Sequence, residues 1–177
     1  DEISWFVHYI TDEGFIYVKR NGGSDHQIAP SKRVVIHTEK GQVDGFFGWP
    51  AIHVRKGKNE KAPSLDTIFI DVGAKSKKEV MEMGVDIGCV ATFNDQFQVF
   101  NKDKWVGRAL DNRIGGFMIA QVARLLHKNN VKLPFGLYIV NAVQEEVGLN
   151  GAKMITQSIK PDVALVTDVC HCTQSPL

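Results

Sequence analysis

Apolar and polar residues alternate in short stretches along the first hundred positions of the chain. Residues 3–10 alternate with a period of two, which predicts a β-strand. Residues 12–14 then supply a turn and residues 15–18 return as a second strand, which predicts a hairpin. Further strands are predicted where short apolar runs lie between Gly, Pro, Asn and Asp residues, at residues 34–36, 46–47, 52–54, 67–70, 91–93 and 96–100. Strands of this length and spacing are typical of a small barrel or sandwich.

One helix is predicted within this β-rich stretch. Ser76 and Glu79 form the S-x-x-E capping box that begins many helices. Gly84, directly after Met83, is a typical C-terminal stop. We therefore expect a short helix between these signals.

From about Trp105 the pattern changes to longer elements. Residues 111–128 carry a helical stripe formed by Ile114, Met118, Val122, Leu125 and Leu126. Residues 135–143 are almost continuously apolar, as in a strand buried on both faces. A helix over about 149–159 and a buried strand over 163–167 follow. Helix, strand, helix and strand in this order are typical of an α/β layer with parallel strands.

The change near residue 105 predicts a domain boundary. We expect residues 1–4 to begin an α/β domain, residues 5–104 to form an inserted β domain, and residues 105–177 to continue the α/β domain. The chain would then be an internal fragment of a longer protein.

The amino-acid composition of the chain limits which classes of partner and location we expect for the protein. The 177 residues include 44% hydrophobic residues, a globular composition, and carry a formal net charge of +1. This balance gives no concentrated basic face for nucleic acid. The three cysteines form no disulfide framework and fit a reducing compartment. No run approaches the roughly 20 apolar residues of a membrane span. We therefore expect a cytoplasmic protein that binds neither nucleic acid nor membrane.

Carboxylates follow both predicted strands of the α/β part. Glu145 and Glu146 come after the first strand, Asp168 comes after the second, and Asp111 begins the long helix. Ligands bind outside the carboxyl ends of such strands, and divalent cations offset the repulsion between converging carboxylates. Taken singly, each residue also suits an ordinary role: a helix cap for Asp111, a solvated loop for the glutamates and a turn for Asp168. Together they favour a metal site.

The run Cys170-His171-Cys172 also contains metal-binding residue types. Neighbouring positions on a strand point to opposite faces, and no second Cys or His pair is spaced to complete a tetrahedron. A zinc knuckle is therefore not favoured.

Several motifs resemble those of a known family, the tetrahedral, glutamyl-type aminopeptidases of metallopeptidase family forty-two. The segment E-E-V-G-x-x-G-A is the most specific of them. In chain order they are Asp1-Glu2-Ile3, Phe69–Ala74, Ala109–Arg113, Gln144–Ala152 and Asp168-Val169. The resemblance implies a partial three-layer αβα catalytic domain of the zinc-aminopeptidase kind, with an inserted, barrel-like β domain.

The resemblance also implies roles for single residues. Asp111 would bridge two divalent metal ions, zinc or cobalt, with Glu146 on one ion and Asp168 on the other. Glu145 would be the general base that takes a proton from the attacking water. Asp1 would orient a ligand histidine. The substrates would be peptides, cleaved after their N-terminal residue, and the β domain would form dimers that build toward a dodecamer.

The chain departs from the family pattern in three places. The family's two ligand histidines are expected before Asp1 and beyond Leu177. Ser4 stands where the family has glycine, and Cys170-His171-Cys172 follows Asp168 where the family varies. Two alternatives to a peptidase therefore remain open. One is a non-catalytic oligomerisation module, or an inactive fragment, with idle carboxylates. The other is an endoglucanase-type hydrolase, which the adjacency of Glu145 and Glu146 disfavours.

Overall fold

The computed structural model describes residues 2–55 and 61–176. By its contacts the chain divides into two compact units. One is Ile3–Gln96, and the residues on either side of this range form the other. The predicted domain limits at residues 5 and 104 stay predictions. None of the helices in the described ranges has both the length and the apolar character needed to cross a bilayer.

The first unit is a closed, six-stranded antiparallel barrel. Of the barrel and sandwich that the pattern predicted, the structure has the barrel. Closure pairs every strand on both sides, so no edge is left free. The strand order around the barrel is β1-β2-β5-β4-β3-β6. The strands are β1 (Ser4–Ile10), β2 (Ile16–Asn21), β3 (Arg33–Thr38), β4 (Gly41–Gly48), β5 (Phe69–Asp71) and β6 (Val90–Phe93).

The barrel core is centred on Trp5. Its ring packs edge-on against Phe47 at 5.0 Å and Phe93 at 4.6 Å between ring centroids. The predicted alternation in β1 is wrong beyond Val7, because the register with β2 shifts between Val7 and Tyr9. An added residue reverses the faces, so Tyr9 is 52% exposed whereas Ile10 is buried.

The helix of the first unit, α1 (Lys77–Glu82), begins and ends where the sequence predicts. The backbone N–H of Glu79 donates to Ser76 Oγ at 3.2 Å, and the N–H of Lys75 donates to Glu79 Oε2 at 2.8 Å. Gly84 follows with a φ of +96°, a value that favours glycine at a helix end. The capping box and the stop are confirmed.

The predicted strand at residues 52–54 is wrong. These residues form a turn in which the N–H of Val54 donates to the carbonyl of Ala51 at 2.9 Å. Because that N–H is satisfied locally, it is not available to a sheet.

The second unit contains a hairpin and two helices. Strands β7 (Gln98–Phe100) and β8 (Lys104–Val106) pair antiparallel, and α2 (Leu110–Lys128) and α3 (Asn150–Ile159) match the predicted helices. The predicted site residue Asp111 lies in the first turn of α2, and Glu146 lies shortly before the start of α3 in the sequence.

The predicted strands at residues 135–143 and 163–167 are not present in the described structure. A strand exists through pairing, and neither segment pairs with another segment within residues 2–55 and 61–176. Many of their apolar side chains are exposed to solvent: Leu165 is 93% exposed and Val166 is 88% exposed. Three members of the predicted stripe on α2 are exposed as well: Met118, Val122 and Leu125.

Candidate active site

Asp111 lies in an irregular first turn of α2. The preceding Ala109 has a left-handed φ of 57°, and Asp111 and Asn112 have non-helical backbone angles. The peptide bond between Asp111 and Asn112 is cis. The regular helix therefore begins after Asn112, and the exposed Asp111 side chain lies just before it.

Asn112 connects the start of α2 to the segment that precedes Asp168. Its Oδ1 accepts a hydrogen bond from the backbone N–H of Gly115 at 2.9 Å, which caps the helix. Its Nδ2 donates to the carbonyl oxygen of Thr167 at 2.7 Å. Asp111 directly precedes Asn112 in the sequence, and Asp168 directly follows Thr167.

Glu145 and Glu146 lie in a tight turn that leads into α3. The N–H groups of Gly148 and Leu149 each donate to the carbonyl of Glu145 at 3.2 Å. Gly148 has a φ of +117°, which favours glycine at this position. The glycines of the E-E-V-G-x-x-G segment thus shape the turn that carries the two glutamates.

The second glycine of that segment, Gly151, packs directly on the chain before the turn. Its N–H donates to the carbonyl of Val143 at 3.1 Å. A Cβ at Gly151 would lie 2.4 Å from the same oxygen, so a larger residue could not occupy this position without a backbone shift.

Glu146 shows that these carboxylates influence one another. Burial raises the pKa of Glu146 above its ordinary value of 4.5, and the negative charge of Asp111 adds to the effect. The charges of Glu145 and Asp168 raise this pKa further. The charges of three other predicted site carboxylates thus act on Glu146 in the same direction as burial does.

The segment after Asp168 remains open to solvent. One carboxylate oxygen of Asp168 accepts a hydrogen bond from the N–H of Val169 at 2.8 Å. Cys170 and Cys172 are exposed free thiols. Hydrogen bonds from the backbone of Gln174 and the side chain of Ser175 lower the pKa of the Cys172 thiol. Within the part of the chain that the structure describes, no three His, Cys, Asp or Glu side chains form a group that could hold a metal ion.

The predicted role of Asp1 lies outside the described residues. Its neighbour Glu2 is described, and its carboxylate forms ion pairs with Arg108 and, at 3.4 Å, with Arg113. These two arginines flank Asp111 in the sequence. Sequence reasoning missed this cluster, because nothing local links residues more than 100 positions apart.

Sequence reasoning also missed Asn112. A signal was available: an asparagine at a helix start, three residues before a glycine, suits an N-cap. Its second hydrogen bond, to Thr167, depends on tertiary structure and has no signal in the sequence.

Comparison with known proteins gives a consistent result. The family described as M42 glutamyl aminopeptidase matches residues 1–177. The putative aminopeptidase FrvX of Escherichia coli strain K12 is 39% identical over 99% of this chain and 49% of its own length. The TET aminopeptidase of the marine sediment archaeon Thaumarchaeota archaeon SCGC AB-539-E09 superposes with a TM-score of 0.94 at 33% identity, covering 99% of this chain and 50% of that one.

A more distant structure shares the fold over most of the chain. The TET1 peptidase of Pyrococcus horikoshii, described as able to assemble into a tetrahedron or a large octahedral shell, has a TM-score of 0.70 at 32% identity, covering 88% of this chain and 46% of that one. The present chain spans about half the length of the curated relatives it matches. With a family match over its whole length and a fold shared with solved aminopeptidases, the chain belongs to the M42 glutamyl aminopeptidase family.

Proposed function

We propose that the intact protein is an aminopeptidase that removes the N-terminal residue of peptides with the help of two divalent metal ions, zinc or cobalt. Membership of a family of aminopeptidases supports the peptidase activity. The observation that supports the metal site is the hydrogen bond from Asn112 to Thr167, which joins the neighbours of Asp111 and Asp168 in the sequence. The raised pKa of Glu146, caused by burial and by the charges of Asp111, Glu145 and Asp168, agrees with it.

The side chains fit divalent cations in their chemistry. Carboxylate oxygens are common ligands of such ions, and a cation would offset the charge that now opposes ionisation of Glu146. The described residues contain no complete group of three ligands, so the proposal requires further donors. The family resemblance points to two histidines outside this chain.

Each carboxylate has a proposed role. Asp111 would bridge the two ions, while Glu146 would bind one ion and Asp168 the other. Asp1 would accept a hydrogen bond from a ligand histidine and fix its tautomer. Held by these residues, two divalent ions would supply Lewis acidity that polarises the scissile carbonyl and lowers the pKa of the attacking water.

Glu145 would act as the general base and then as the general acid. Its side chain is exposed, next to the partly buried Glu146, and so is accessible to a substrate. Its carboxylate would take a proton from water as the water oxygen attacks the peptide carbonyl carbon. As the C–N bond breaks, the same proton would pass to the leaving amine.

The exposed apolar segments at residues 135–143 and 163–167 support a proposal for the rest of the catalytic domain. In the intact protein, residues 135–143 and 163–167 would pair as strands of a three-layer αβα domain. This pairing would cover side chains such as Leu165, which is 93% exposed here.

The barrel would serve self-association, in dimers that build toward a dodecamer. The TET1 relative, described as forming large shells, supports such assembly. The cytoplasm is the proposed location.

Replacing Glu145 by glutamine tests the proposed chemistry. In the intact protein, Glu145→Gln removes the proton acceptor and should lower kcat by about 10²–10⁴-fold. Metal content, measured by elemental analysis, should stay as in the wild type. Glu39→Gln, an exposed glutamate next to β3 in the barrel, is the matched control and should leave kcat unchanged. Retained activity in Glu145→Gln would contradict the assignment of the base.

A further inference from the structure

The side-chain amide of Asn112 uses its two ends on different parts of the second unit. Its oxygen accepts from the N–H of Gly115 within the same helix. Its nitrogen donates to the carbonyl oxygen of Thr167, 55 positions further along the chain, at 2.7 Å. A single side chain thus caps α2 and attaches the helix to another segment.

The attached positions are the ones that lead to two site carboxylates. Asn112 follows Asp111 directly, and Thr167 precedes Asp168 directly. The bond from Asn112 to Thr167 therefore joins the residue after Asp111 to the residue before Asp168. Both residues would be metal ligands in the proposed function, and neither is held by burial, because both are exposed.

The neighbouring glycine makes this contact possible. A Cβ at Gly115 would lie 2.4 Å from Asn112 Oδ1 and 2.8 Å from Thr167 Oγ1. Such distances essentially never occur, so an alanine here would push the amide away from Thr167. The next residue, Gly116, has room: its Cβ would lie 3.6 Å from the nearest atom, in the side chain of Asn141.

We propose that Asn112 is a positioning residue that sets the distance between Asp111 and Asp168. The inference rests on the proposed function, because it concerns the metal affinity of those two carboxylates. Asn112 would act through the backbone of Thr167 and need not touch metal or substrate. Outer partners of this kind typically change metal affinity or activity by about 10–100-fold when they are replaced.

The first test compares two asparagines at opposite ends of α2 in the intact protein, Asn112 in its first turn and Asn129 directly after its last residue. Asn112→Ser keeps a good helix cap, adds no charge and removes the amide that reaches Thr167. Asn129→Ser is the matched control, since Asn129 Nδ2 donates to the carbonyl of Leu125 at 2.8 Å, at the other end of α2. The readouts are zinc affinity, by competition with a chromogenic chelator, together with kcat, KM and Tm.

We expect Asn112→Ser to bind zinc about 10–100-fold more weakly than the wild type. At limiting zinc, its kcat should fall by a larger factor than the factor by which its KM changes. Excess zinc should restore part of the loss. Asn129→Ser should keep wild-type zinc affinity even if its Tm falls. A purely structural role would lower Tm in both variants without a selective change in zinc affinity.

A second pair of variants keeps the inference testable if Asn112→Ser does not fold. Gly115→Ala leaves Asn112 in place but forces its amide away from Thr167, whereas Gly116→Ala adds the same methyl group without a close contact. Gly115→Ala should lower zinc affinity as Asn112→Ser does, and Gly116→Ala should not.

Three outcomes would overturn the inference. The first is wild-type zinc affinity and kcat in folded Asn112→Ser or Gly115→Ala, in an otherwise active protein; the proposed function would then stand. The second is an equal loss of zinc affinity in the control variants. The third is an intact wild-type protein without metal or activity, in which case the proposed function fails and the inference fails with it.

Discussion

At the scale of single residues, the surroundings of Glu146 oppose the ionisation of its carboxyl group. Burial and the charge of Asp111, then those of Glu145 and Asp168, raise its pKa above 4.5 in the folded chain. Between pH 4.5 and the raised pKa, Glu146 therefore holds its proton more fully in the folded state than in the unfolded state. Ionisation of Glu146 should lower the free energy of unfolding across that window, and the loss is complete above it.

Glu146→Gln tests this sign. In chelator, the variant should match the wild type in acid and become more stable as the pH rises past 4.5. The gain should stay below about 1 kcal/mol, as is usual for partly exposed charges. Urea unfolding at several pH values measures it, with Glu39→Gln as the control. A variant that is less stable than the wild type at neutral pH, without metal, would contradict the repulsion between these carboxylates.

The same residue makes a second prediction when metal is present. If Glu146 binds an ion, zinc should raise the Tm of the wild type more than that of Glu146→Gln, because a ligand that binds only the folded state stabilises it. A thermal shift of equal size in both proteins would argue against Glu146 as a ligand. Two independent measurements therefore test Glu146→Gln: its gain in the free energy of unfolding in chelator, and its smaller rise in Tm on addition of zinc.

At the scale of elements, the turn between residue 143 and α3 places Glu145 and Glu146. Gly151 contacts Val143 so closely that an added Cβ would lie 2.4 Å from its carbonyl oxygen. Alanine usually stabilises a helix relative to glycine by up to about 1 kcal/mol. At Gly151 we expect the opposite sign, a loss of about 1–3 kcal/mol from overpacking, together with reduced activity.

Denaturant unfolding and kcat of the intact Gly151→Ala variant measure this prediction. Gly116→Ala on α2 is the control, because its Cβ meets only an ordinary contact at 3.6 Å. A Gly151→Ala variant as stable as Gly116→Ala would show that the contact with Val143 does not constrain the turn.

Local signals predicted the elements that depend on local bonds. Ser76, Glu79 and Gly84 fixed the bounds of α1 from short-range hydrogen bonds and backbone preference. The sequence could not reveal the register shift after Val7, because a bulge arises between two strands. The runs at 135–143 and 163–167 have strand-like composition, but a strand also requires a paired neighbour, and neither run is paired within the described residues. The carboxylates were found from their places after such runs, whereas the bond from Asn112 to Thr167 is purely tertiary.

At the scale of the whole molecule, the two units differ in how completely they bury apolar surface. The barrel encloses a continuous core that includes Trp5, Ile36, Phe47 and Ile70. We expect residues 3–96 to fold alone and to unfold cooperatively. Circular dichroism with thermal unfolding, and the dispersion of amide resonances, would measure this. A collapsed chain without a cooperative transition would contradict it.

The second unit should behave differently by itself. Apolar side chains such as Tyr138, Val163 and Leu165 are more than half exposed, and large exposed patches of this kind promote association. We expect residues 97–177, expressed alone, to aggregate or to bind a dye specific for apolar surface. A monomeric, cooperatively folded product would argue against the proposed pairing of these segments in an αβα domain.

The most direct test of the account is the metal content and activity of the intact protein. Elemental analysis would be combined with a panel of aminoacyl reporter substrates, assayed with zinc, with cobalt and with chelator. The account predicts about two divalent ions per subunit, release of N-terminal residues, and loss of that activity in chelator that added metal restores. An intact, folded protein that binds no metal and cleaves none of the substrates would contradict it and would favour a non-catalytic assembly module with idle carboxylates.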